Sequence, residues 1–262
     1  MRKILRFLYK NILPSRVKSS LDLFEQLRLD RFEEPRLART EDLKERNILV
    51  LSPHPDDDVI GCGGTLHIYH QKGAKITAVY MTDGRKGNPG YHEDNLVLSR
   101  KDEARKAATL VGIDSLIFLD NRDTELSSAP KTVNELSEIL SEIKPEAVFL
   151  PFLLDNHSDH IATNDIFIKA SRKYKRDLMC YGYQIWTPII LPNFIVDISS
   201  QIHLKNRAID MHQSQIELCP IVEAAMGLSR YRGVLHNLQG GYAEVFFRCV
   251  AIEYRHLWQV IQ

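Results

Sequence analysis

Two short segments of the chain carry histidine and aspartate in patterns suited to metal chemistry. Residues 53–58 read PHPDDD, and residues 155–160 read DNHSDH. A divalent metal satisfies carboxylates and imidazoles that lie away from water, and two imidazoles with one carboxylate leave zinc an open position for a water molecule. His54, Asp57 and His160 could supply such a set to a Zn²⁺ ion that serves hydrolytic chemistry.

Each segment by itself is weak evidence, because aspartate often stands at the start of a helix as a cap. The two segments gain weight from their positions, since each directly follows a strand-like aliphatic run, ILVLS at 48–52 and AVFLP at 147–151. Ligand sites of open α/β sheets lie outside the carboxyl ends of the strands, and the first and fourth strands of a doubly wound sheet are neighbours. We therefore expect the two segments to converge on one cation.

The elements that position these segments alternate between short apolar runs and amphipathic stretches. This alternation predicts an α/β fold, a Rossmann-like and mostly parallel sheet with helices on both faces. The predicted strands are 48–52, 75–82, 115–119 and 147–151, and the predicted helices are 59–71, 96–111, 131–143 and 159–174. Beyond residue 175 the strand-like runs 179–186, 194–199 and 244–254 predict an antiparallel C-terminal extension of the same domain.

The N-terminal part of the chain differs in composition from the rest. Residues 1–18 contain six basic side chains and no acid, and their pattern is that of a basic amphipathic helix. We predict that residues 1–46 form this helix and a connector, and that residues 47–262 form the catalytic domain. The helix packs on its own domain or on a second subunit, or else it contacts an anionic membrane surface peripherally.

Composition excludes several other classes of protein. The 34 basic and 34 acidic residues cancel, so no overall charge attracts nucleic acid. The four cysteines are scattered without a CxxC pair, which argues against a disulfide framework and a thiolate zinc site. The apolar runs are too short for a membrane span. A cytoplasmic location is predicted, with peripheral attachment at the inner face of the membrane as the alternative.

Several motifs in this order resemble the zinc-dependent N-acetylglucosaminyl deacetylase family, which includes the LmbE-like and PIG-L proteins. The motifs are SPHPDDDVIGCGGT at 52–65, MTDG at 81–84, RKDEAR at 100–105, NHSDH at 156–160 and HQSQ at 212–215. The resemblance covers roughly residues 47–250. It implies a hydrolase that removes acetyl from the 2-acetamido group of an N-acetylglucosamine-like sugar.

The resemblance also implies a role for each matching residue. His54, Asp57 and His160 match the zinc ligands, and Asp56 matches the general base. His157 matches the histidine that stabilises the tetrahedral intermediate or protonates the leaving amine. We expect His157 to act as an imidazolium cation that Asp159 orients.

Two further residues are predicted to bind substrate. The resemblance assigns Arg100 to the sugar hydroxyls, whereas an ion pair with Glu103, three residues on, is the structural alternative. Asp83, which follows the second strand, either faces the crevice or starts a turn. His212 either approaches the site or is a structural histidine.

Two departures from the family pattern lie at the site. Asp58 replaces the glutamate of the common HPDDE, and its shorter side chain requires a different brace for the loop. Ser158 replaces the proline of HPDH and loosens a turn whose φ the proline would fix. Neither change removes a predicted ligand or the predicted base.

Other functions remain as alternatives at this point. A noncatalytic sugar-binding or scaffold protein would keep the fold without zinc. A nucleotide-binding enzyme is disfavoured because GCGG at 61–64 is not GxGxxG and follows three acids. The predicted partner is an amino-sugar substrate, either a small molecule or a lipid-linked sugar. A lipid or a nucleotide is the predicted carrier of that sugar. An oligomer is compatible with the sequence. Iron or cobalt suits the same ligands.

Overall fold

The structure, a computed structural model, describes residues 36–38 and 40–261. It contains one eight-stranded sheet whose strands are β1 (Arg36–Leu37), β2 (Asn47–Ser52), β3 (Lys75–Thr82), β4 (Ser115–Asn121), β5 (Ala147–Pro151), β6 (Met179–Tyr183), β7 (Phe194–Asp197) and β8 (Ala243–Val250). The helices are α1 (Asp57–Gln71), α2 (Glu93–Val111), α3 (Pro130–Ile143), α4 (Ser158–Ala170), α5 (Ile202–Asp210), α6 (Gln213–Ile216), α7 (Ile221–Leu235) and α8 (Ala251–Ile261).

The strand order is β1-β7-β8-β6-β5-β2-β3-β4, and β8 alone among these strands runs antiparallel to its neighbours. The strands β2 and β5 are adjacent and parallel, with Ile48 opposite Ala147. This adjacency was expected of the first and fourth predicted strands, and it confirms the switch point at which the order reverses. The mostly parallel α/β fold is confirmed, and β8 provides the antiparallel part of the C-terminal extension.

Two apolar cores lie on opposite faces of the sheet. Alternate residues of β2 show the division, because Ile48 and Val50 belong to one core and Leu49 and Leu51 to the other. Helices α1, α2, α5 and α7 cover the first face, and α3, α4 and α8 cover the second. The sheet is therefore buried on both sides, which explains why its central strands are almost entirely aliphatic.

The last predicted strand is wrong in its final four residues. The run 244–254 was expected to be extended throughout, but β8 ends at Val250 and α8 follows at once. Tyr254, Leu257 and Trp258 have the spacing of one helical face and are buried in the second core. Burial of these large side chains favours a helix over a continued strand.

The connector before β2 belongs in part to the sheet. The strand β1 pairs with β7, Leu43 is buried in the first core, and Glu45 is buried beside it. The division of the chain at residue 46 stays a prediction. The predicted helix at 1–18 lies outside the described residues.

Two smaller expectations concern cysteines and membrane spans. The four cysteines are free thiols, as expected, and Cys62 and Cys180 are buried. None of the helices in the described part of the chain combines the length and the apolar character that a membrane span requires.

Candidate metal and catalytic site

The first histidine-aspartate segment is held in a tight turn between β2 and α1. The Ser52 hydroxyl donates a hydrogen bond to the carbonyl of His54 at 2.7 Å and accepts one from the backbone N–H of Asp58 at 3.0 Å. The backbone N–H of His54 donates to the Asp57 carboxylate at 2.9 Å. These bonds fix the loop at the carboxyl end of β2, so the imidazole of His54 and the carboxylate of Asp57 lie side by side.

The second segment forms the start of α4, after β5. His157 is the N-cap residue, and its Nδ1 accepts a hydrogen bond from the backbone N–H of Asp159 at 3.2 Å. The backbone N–H of His157 in turn donates to Asp155 Oδ1 at 3.1 Å. His160 therefore falls in the first turn of α4, wholly buried.

The two segments converge on the Asp57 carboxylate. Asp57 Oδ2 lies 3.1 Å from His54 Nδ1 and 3.3 Å from His160 Nε2. The ligand atoms of these three residues all lie within 4.8 Å of one another, and all three residues are buried. The structure thus brings together the three residues predicted to be metal ligands, although they come from segments about a hundred positions apart.

The donor atoms at this point fit a divalent cation. Both ring nitrogens of His160 are buried without a hydrogen-bond partner in the described part of the chain, and so is Asp155 Oδ2. Unpaired buried polar atoms are costly, and they often mark a missing ion or water. His160 Nδ1 lies 3.4 Å from Asp155 Oδ2, and His54 Nε2 lies 3.2 Å from Asp159 Oδ2. Carboxylates behind metal-binding imidazoles commonly orient them in this way.

A second group of three, His54, His157 and Asp159, also has ligand atoms within 4.8 Å of one another. The Asp159 carboxylate, however, already accepts the backbone N–H groups of Thr124 at 2.8 Å and Leu126 at 3.3 Å. Both carboxylate oxygens of Asp159 thus accept a backbone N–H, whereas in the described chain the backbone N–H of His54 occupies only Oδ2 of Asp57. The set centred on Asp57 therefore fits a metal better.

Charge in this cluster favours a cation. Burial by itself lowers the pKa of His160, but Asp57 and Asp155 outweigh burial and raise it to about 9. Burial likewise lowers the pKa of His54, and the carboxylates of Asp123, Asp159 and Asp57 raise it well above its usual range. A site that holds protons this firmly offers the same negative potential to a metal ion.

Asp56 faces the cleft from the N-cap position of α1. Its Oδ1 accepts a hydrogen bond from Arg100 Nη2 at 2.8 Å, and both side chains are buried. Arg100 thus pairs with Asp56 rather than with Glu103, and its assignment to substrate stays a prediction. The carboxylate of Glu103 accepts hydrogen bonds from the backbone N–H and hydroxyl of Ser214.

The surroundings of His157 act on its charge. Burial and the neighbouring imidazoles of His54 and His160 lower the pKa of His157 below its usual value, which favours the neutral ring over the imidazolium that was expected. Because Nδ1 accepts the backbone N–H of Asp159, the proton of the neutral ring sits on Nε2.

The Asp159 carboxylate does not contact His157 as expected, whereas Asp83 takes the second of its two expected roles and starts a turn. The Asp159 backbone holds His157, whereas its carboxylate faces His54 and the loop after β4. Asp83 lies outside the lining of the cleft. Its carboxylate accepts hydrogen bonds from Arg85 and from the backbone N–H of Asp123 at 3.3 Å, so Asp83 shapes the loop that carries Asp123.

Asp123 was missed in the sequence analysis. Its carboxylate lines the cleft, lies 3.3 Å from His54 Nε2 and accepts the backbone N–H of Lys86 at 3.0 Å. Burial raises its pKa, but the His54 hydrogen bond and charge outweigh burial and lower the pKa to about 2. Asp123 follows β4, a third strand that ends at the same edge of the sheet, and that position was the available signal.

His212 does not line the cleft. It is buried, burial lowers its pKa to about 4, and neither ring nitrogen has a hydrogen-bond partner in the described chain. His212 is thus a buried histidine outside the cleft lining, and its approach to the site stays a prediction.

The site opens into a cleft of about 510 Å³. Its lining includes imidazoles and carboxylates described above, together with Trp186 and residues of α7. The indole of Trp186 lies against His157, with 6.5 Å between ring centroids and 22° between ring planes. The volume suits a small-molecule substrate.

A doubly wound sheet with this cluster at its switch point defines an α/β enzyme that can hold a divalent cation beside a carboxylate base. Comparison with known proteins agrees. Residues 49–171 match the family model PIG-L, described as GlcNAc-PI de-N-acetylase. The chain is 28% identical to diacetylchitobiose deacetylase of Thermococcus kodakarensis, over 65% of this chain and 70% of the relative.

Two solved structures extend the likeness to the fold. The conserved protein TT1542 of Thermus thermophilus is 30% identical with a TM-score of 0.66, over 76% of this chain and 93% of that chain. The N,N'-diacetylchitobiose deacetylase of Pyrococcus horikoshii is 26% identical with a TM-score of 0.72, over 93% of this chain and 96% of that chain. This chain belongs to the PIG-L, or LmbE-like, deacetylase family. It is an N-deacetylase, an enzyme that hydrolyses an amide C–N bond.

Proposed function

We propose that this enzyme removes the N-acetyl group from an N-acetylglucosamine-like sugar and that it uses Zn²⁺ held by His54, Asp57 and His160. The family, together with relatives named for diacetylchitobiose, supports an amino-sugar substrate. The observation that carries the proposal is the meeting of His54 Nδ1 and His160 Nε2 at Asp57 Oδ2, at the head of a cleft of small-molecule size.

The donor set of two imidazoles and one carboxylate is one that zinc takes in hydrolytic sites. When bound, the ion supplies Lewis acidity, which polarises the acetyl carbonyl and acidifies water. Asp155 behind His160 and Asp159 behind His54 hold the two imidazoles in the required orientation. The remaining steps belong to side chains of the chain itself.

Asp56 is the proposed general base. Arg100 occupies Oδ1 of Asp56 with a hydrogen bond of 2.8 Å, and this bond leaves Oδ2 to accept a proton from the attacking water. As the water oxygen bonds to the acetyl carbon, its proton passes to Asp56 and then to the sugar nitrogen when the C–N bond breaks. The products are acetate and the free amine. Such general acid–base assistance is typically worth about 10²–10⁴ in rate.

His157 is the proposed hydrogen-bond donor to the acetyl oxygen. The backbone of Asp159 occupies Nδ1, so the neutral ring presents Nε2–H. A donor fixed in this way stabilises the negative charge that develops on the carbonyl oxygen during attack. His157 therefore acts without the imidazolium charge expected from the sequence.

Two groups at the cleft are proposed to hold the sugar. Arg100 keeps its assignment to substrate because it lines the cleft and its Nε has no hydrogen-bond partner among the described residues. Asp123 joins it as an acceptor for hydroxyl groups. Asp83 contributes indirectly, through its bond to the backbone of Asp123.

Wider parts of the proposal rest on the sequence alone. Three parts stay predictions. They are a lipid or a nucleotide as carrier of the sugar, a cytoplasmic location with peripheral membrane contact through residues 1–18, and assembly into an oligomer. Deletion of residues 1–18 tests the membrane contact, because it should release the protein from anionic vesicles while turnover of a soluble substrate persists.

The decisive experiment measures acetate release from N-acetylated sugars by the metal-loaded protein. We expect release that requires the metal and a loss of about 10²–10⁴-fold in kcat for Asp56→Asn. The exposed Asp177 provides a matched control, since Asp177→Asn should retain full activity. Purified protein that neither binds zinc nor gains activity when zinc is supplied would instead support the noncatalytic sugar-binding alternative.

A further inference from the structure

The cleft has an aliphatic part that the proposed chemistry does not use. This part of its lining, here called the apolar arm, consists of Ile60, Ile185, Leu218, Ile221, Ala224 and Leu228. These residues come from α1, from the segment after β6, from the segment after α6 and from α7. They share one cavity with the metal and base residues.

Helix α7 shows that the arm is more than a gap in the core. Its residues Val222 and Met226 pack against the first apolar core. Ala224 and Leu228 lie four residues apart on a second helical face that lines the cleft, and Ile221, which also packs against the first core, borders both faces. Ala224 is exposed, so α7 presents an aliphatic face to the cleft in addition to the one it buries.

The charges in the cleft disfavour a phosphate group. Three cationic side chains line it in the described chain, and each already has a carboxylate partner. Arg100 pairs with Asp56 at 2.8 Å, Lys205 pairs with Glu244 at 2.7 Å, and Lys86 pairs with Glu93.

The Lys205–Glu244 pair is particularly well satisfied. Both side chains are buried, and the Glu244 carboxylate also accepts the backbone N–H groups of Gly64 at 2.9 Å and Thr65 at 2.7 Å. The charge of Lys205 is therefore balanced inside the protein, and the pair offers no unpaired cation to a pyrophosphate.

We propose that the apolar arm binds an uncharged apolar aglycone on the substrate, such as an alkyl chain, while the N-acetylated sugar ring lies at the metal end. This inference rests on the proposed function, and it selects an apolar carrier over a nucleotide. The arm is continuous with the reacting end of the cleft, so sugar and aglycone bind as one molecule. Burial of hydrocarbon in the arm adds binding free energy in proportion to the area removed from water.

The test compares methyl, butyl and octyl glycosides of N-acetylglucosamine, in both anomers and below micelle-forming concentrations, with UDP-N-acetylglucosamine. We expect kcat/KM for the octyl glycoside to exceed that for the methyl glycoside at least tenfold, because each fully buried methylene is worth about fourfold. The nucleotide sugar should perform no better than the methyl glycoside. Equal values for octyl and methyl glycosides, or a preference for the nucleotide sugar, would overturn the inference.

Two variants of α7 locate the effect. Ala224→Asp places a charge in the arm, at an exposed position that tolerates it. In this variant the ratio of kcat/KM for the octyl glycoside to kcat/KM for the methyl glycoside should fall to about one. Val234 is also on α7 and 55% exposed but lies outside the cleft lining, so Val234→Asp should keep the wild-type ratio. If both variants, or neither, change the ratio, the arm is not the aglycone site.

A binding measurement separates this inference from the proposed chemistry. Calorimetry on metal-loaded Asp56→Asn, which is expected to turn the ligand over about 10²–10⁴-fold more slowly, should give a dissociation constant for the octyl glycoside at least tenfold below that for the methyl glycoside. If no sugar releases acetate but this preference appears and Ala224→Asp abolishes it, the deacetylation proposal fails and the arm remains. If acetate is released without any chain-length preference, the deacetylation proposal stands and the assignment of the arm to an aglycone fails.

Discussion

The two ends of β2 carry buried polar clusters that differ in how completely their atoms are paired. Before the strand, Glu45 accepts the hydroxyls of Tyr69 at 2.7 Å and Tyr181 at 3.1 Å, and Arg248 donates to Tyr181 at 3.0 Å. After the strand, by contrast, both nitrogens of His160 lack a hydrogen-bond partner in the described chain.

This difference separates a structural cluster from a binding site. The Glu45 cluster satisfies its carboxylate internally and links the connector to the sheet, so it needs no ligand. The cluster after β2 assembles imidazoles and carboxylates whose unpaired atoms point to a missing cation. The two clusters are alike in burial and polarity. They differ in whether their polar atoms have hydrogen-bond partners within the described chain.

The largest expected effect follows from removing a metal ligand. His160→Ala should abolish stoichiometric zinc binding and reduce acetate release by more than the roughly 10²–10⁴-fold that a general base contributes. Elemental analysis of the purified variant, together with the acetate assay, checks both. Glu45→Gln, at the other end of β2, serves as the control and should retain zinc. Stoichiometric zinc in His160→Ala would show that this imidazole is not a ligand.

The next effect concerns stability and its pH dependence. Burial raises the pKa of Asp58 from 3.8 to about 7. Between these values the native state holds a proton that the unfolded chain has released, so the free energy of unfolding falls as the pH rises from about 4 to about 7. Asp58→Asn keeps an acceptor for the Tyr80 hydroxyl but carries no charge, so it should unfold at higher denaturant at pH 8.

Urea unfolding in the presence of a chelator measures this difference, which should reach about 2–4 kcal/mol at pH 8 and vanish near pH 4. Chelation matters because a cation beside Asp57 would offset the charge of Asp58. A wild-type protein as stable as Asp58→Asn at pH 8 would mean that Asp58 ionises without cost.

A third prediction addresses the paired cluster before β2. Glu45→Gln should lower the free energy of unfolding by about 1.5–3 kcal/mol, because it weakens hydrogen bonds from two tyrosine hydroxyls to a charged acceptor. The value of kcat should stay at the wild-type level. Chemical unfolding and the acetate assay on the same preparation measure the two quantities, and a large loss of kcat without a loss of stability would reverse the assignment of this cluster.

The smallest effect is expected behind the metal ligands. Asp155 faces His160 Nδ1 at 3.4 Å, and Asp155→Ala should weaken zinc binding by about 10–100-fold while activity at saturating zinc is largely recovered. Competition with a chromogenic chelator measures the affinity. The exposed Asp177→Ala provides the matched control, and equal affinities in the two variants would remove Asp155 from the site.

Comparison of sequence and structure shows where local patterns suffice. The strands β3 and β5 have the predicted bounds, and the helices begin within three residues of prediction, because aliphatic runs and glycine punctuation act locally. The switch from strand to helix at Val250 was not predictable in this way. The apolar run continues through it, and the docking of Tyr254 and Trp258 on the second core decides the conformation.

The candidate site shows the same division. The motifs at 53–58 and 155–160 identified the residues that converge, since histidine and aspartate after buried strands are unusual. The pairing of Arg100 with Asp56 and the contacts of the Asp159 carboxylate were not predicted, because spacing along a helix does not tell which distant carboxylate or backbone group a side chain reaches. Asp123 was not predicted, because it is a single acidic residue that belongs to no recognisable motif.

The sequence by itself determined the α/β fold, the chemical types at the site and the family, because these depend on periodicity and on short ordered motifs. Only the tertiary structure decided the pairing of Arg100 with Asp56, the lowered pKa of His157 and the apolar arm beside α7. Each of these depends on distances between segments far apart in the chain and on burial that shifts charge, and the folded packing alone sets both.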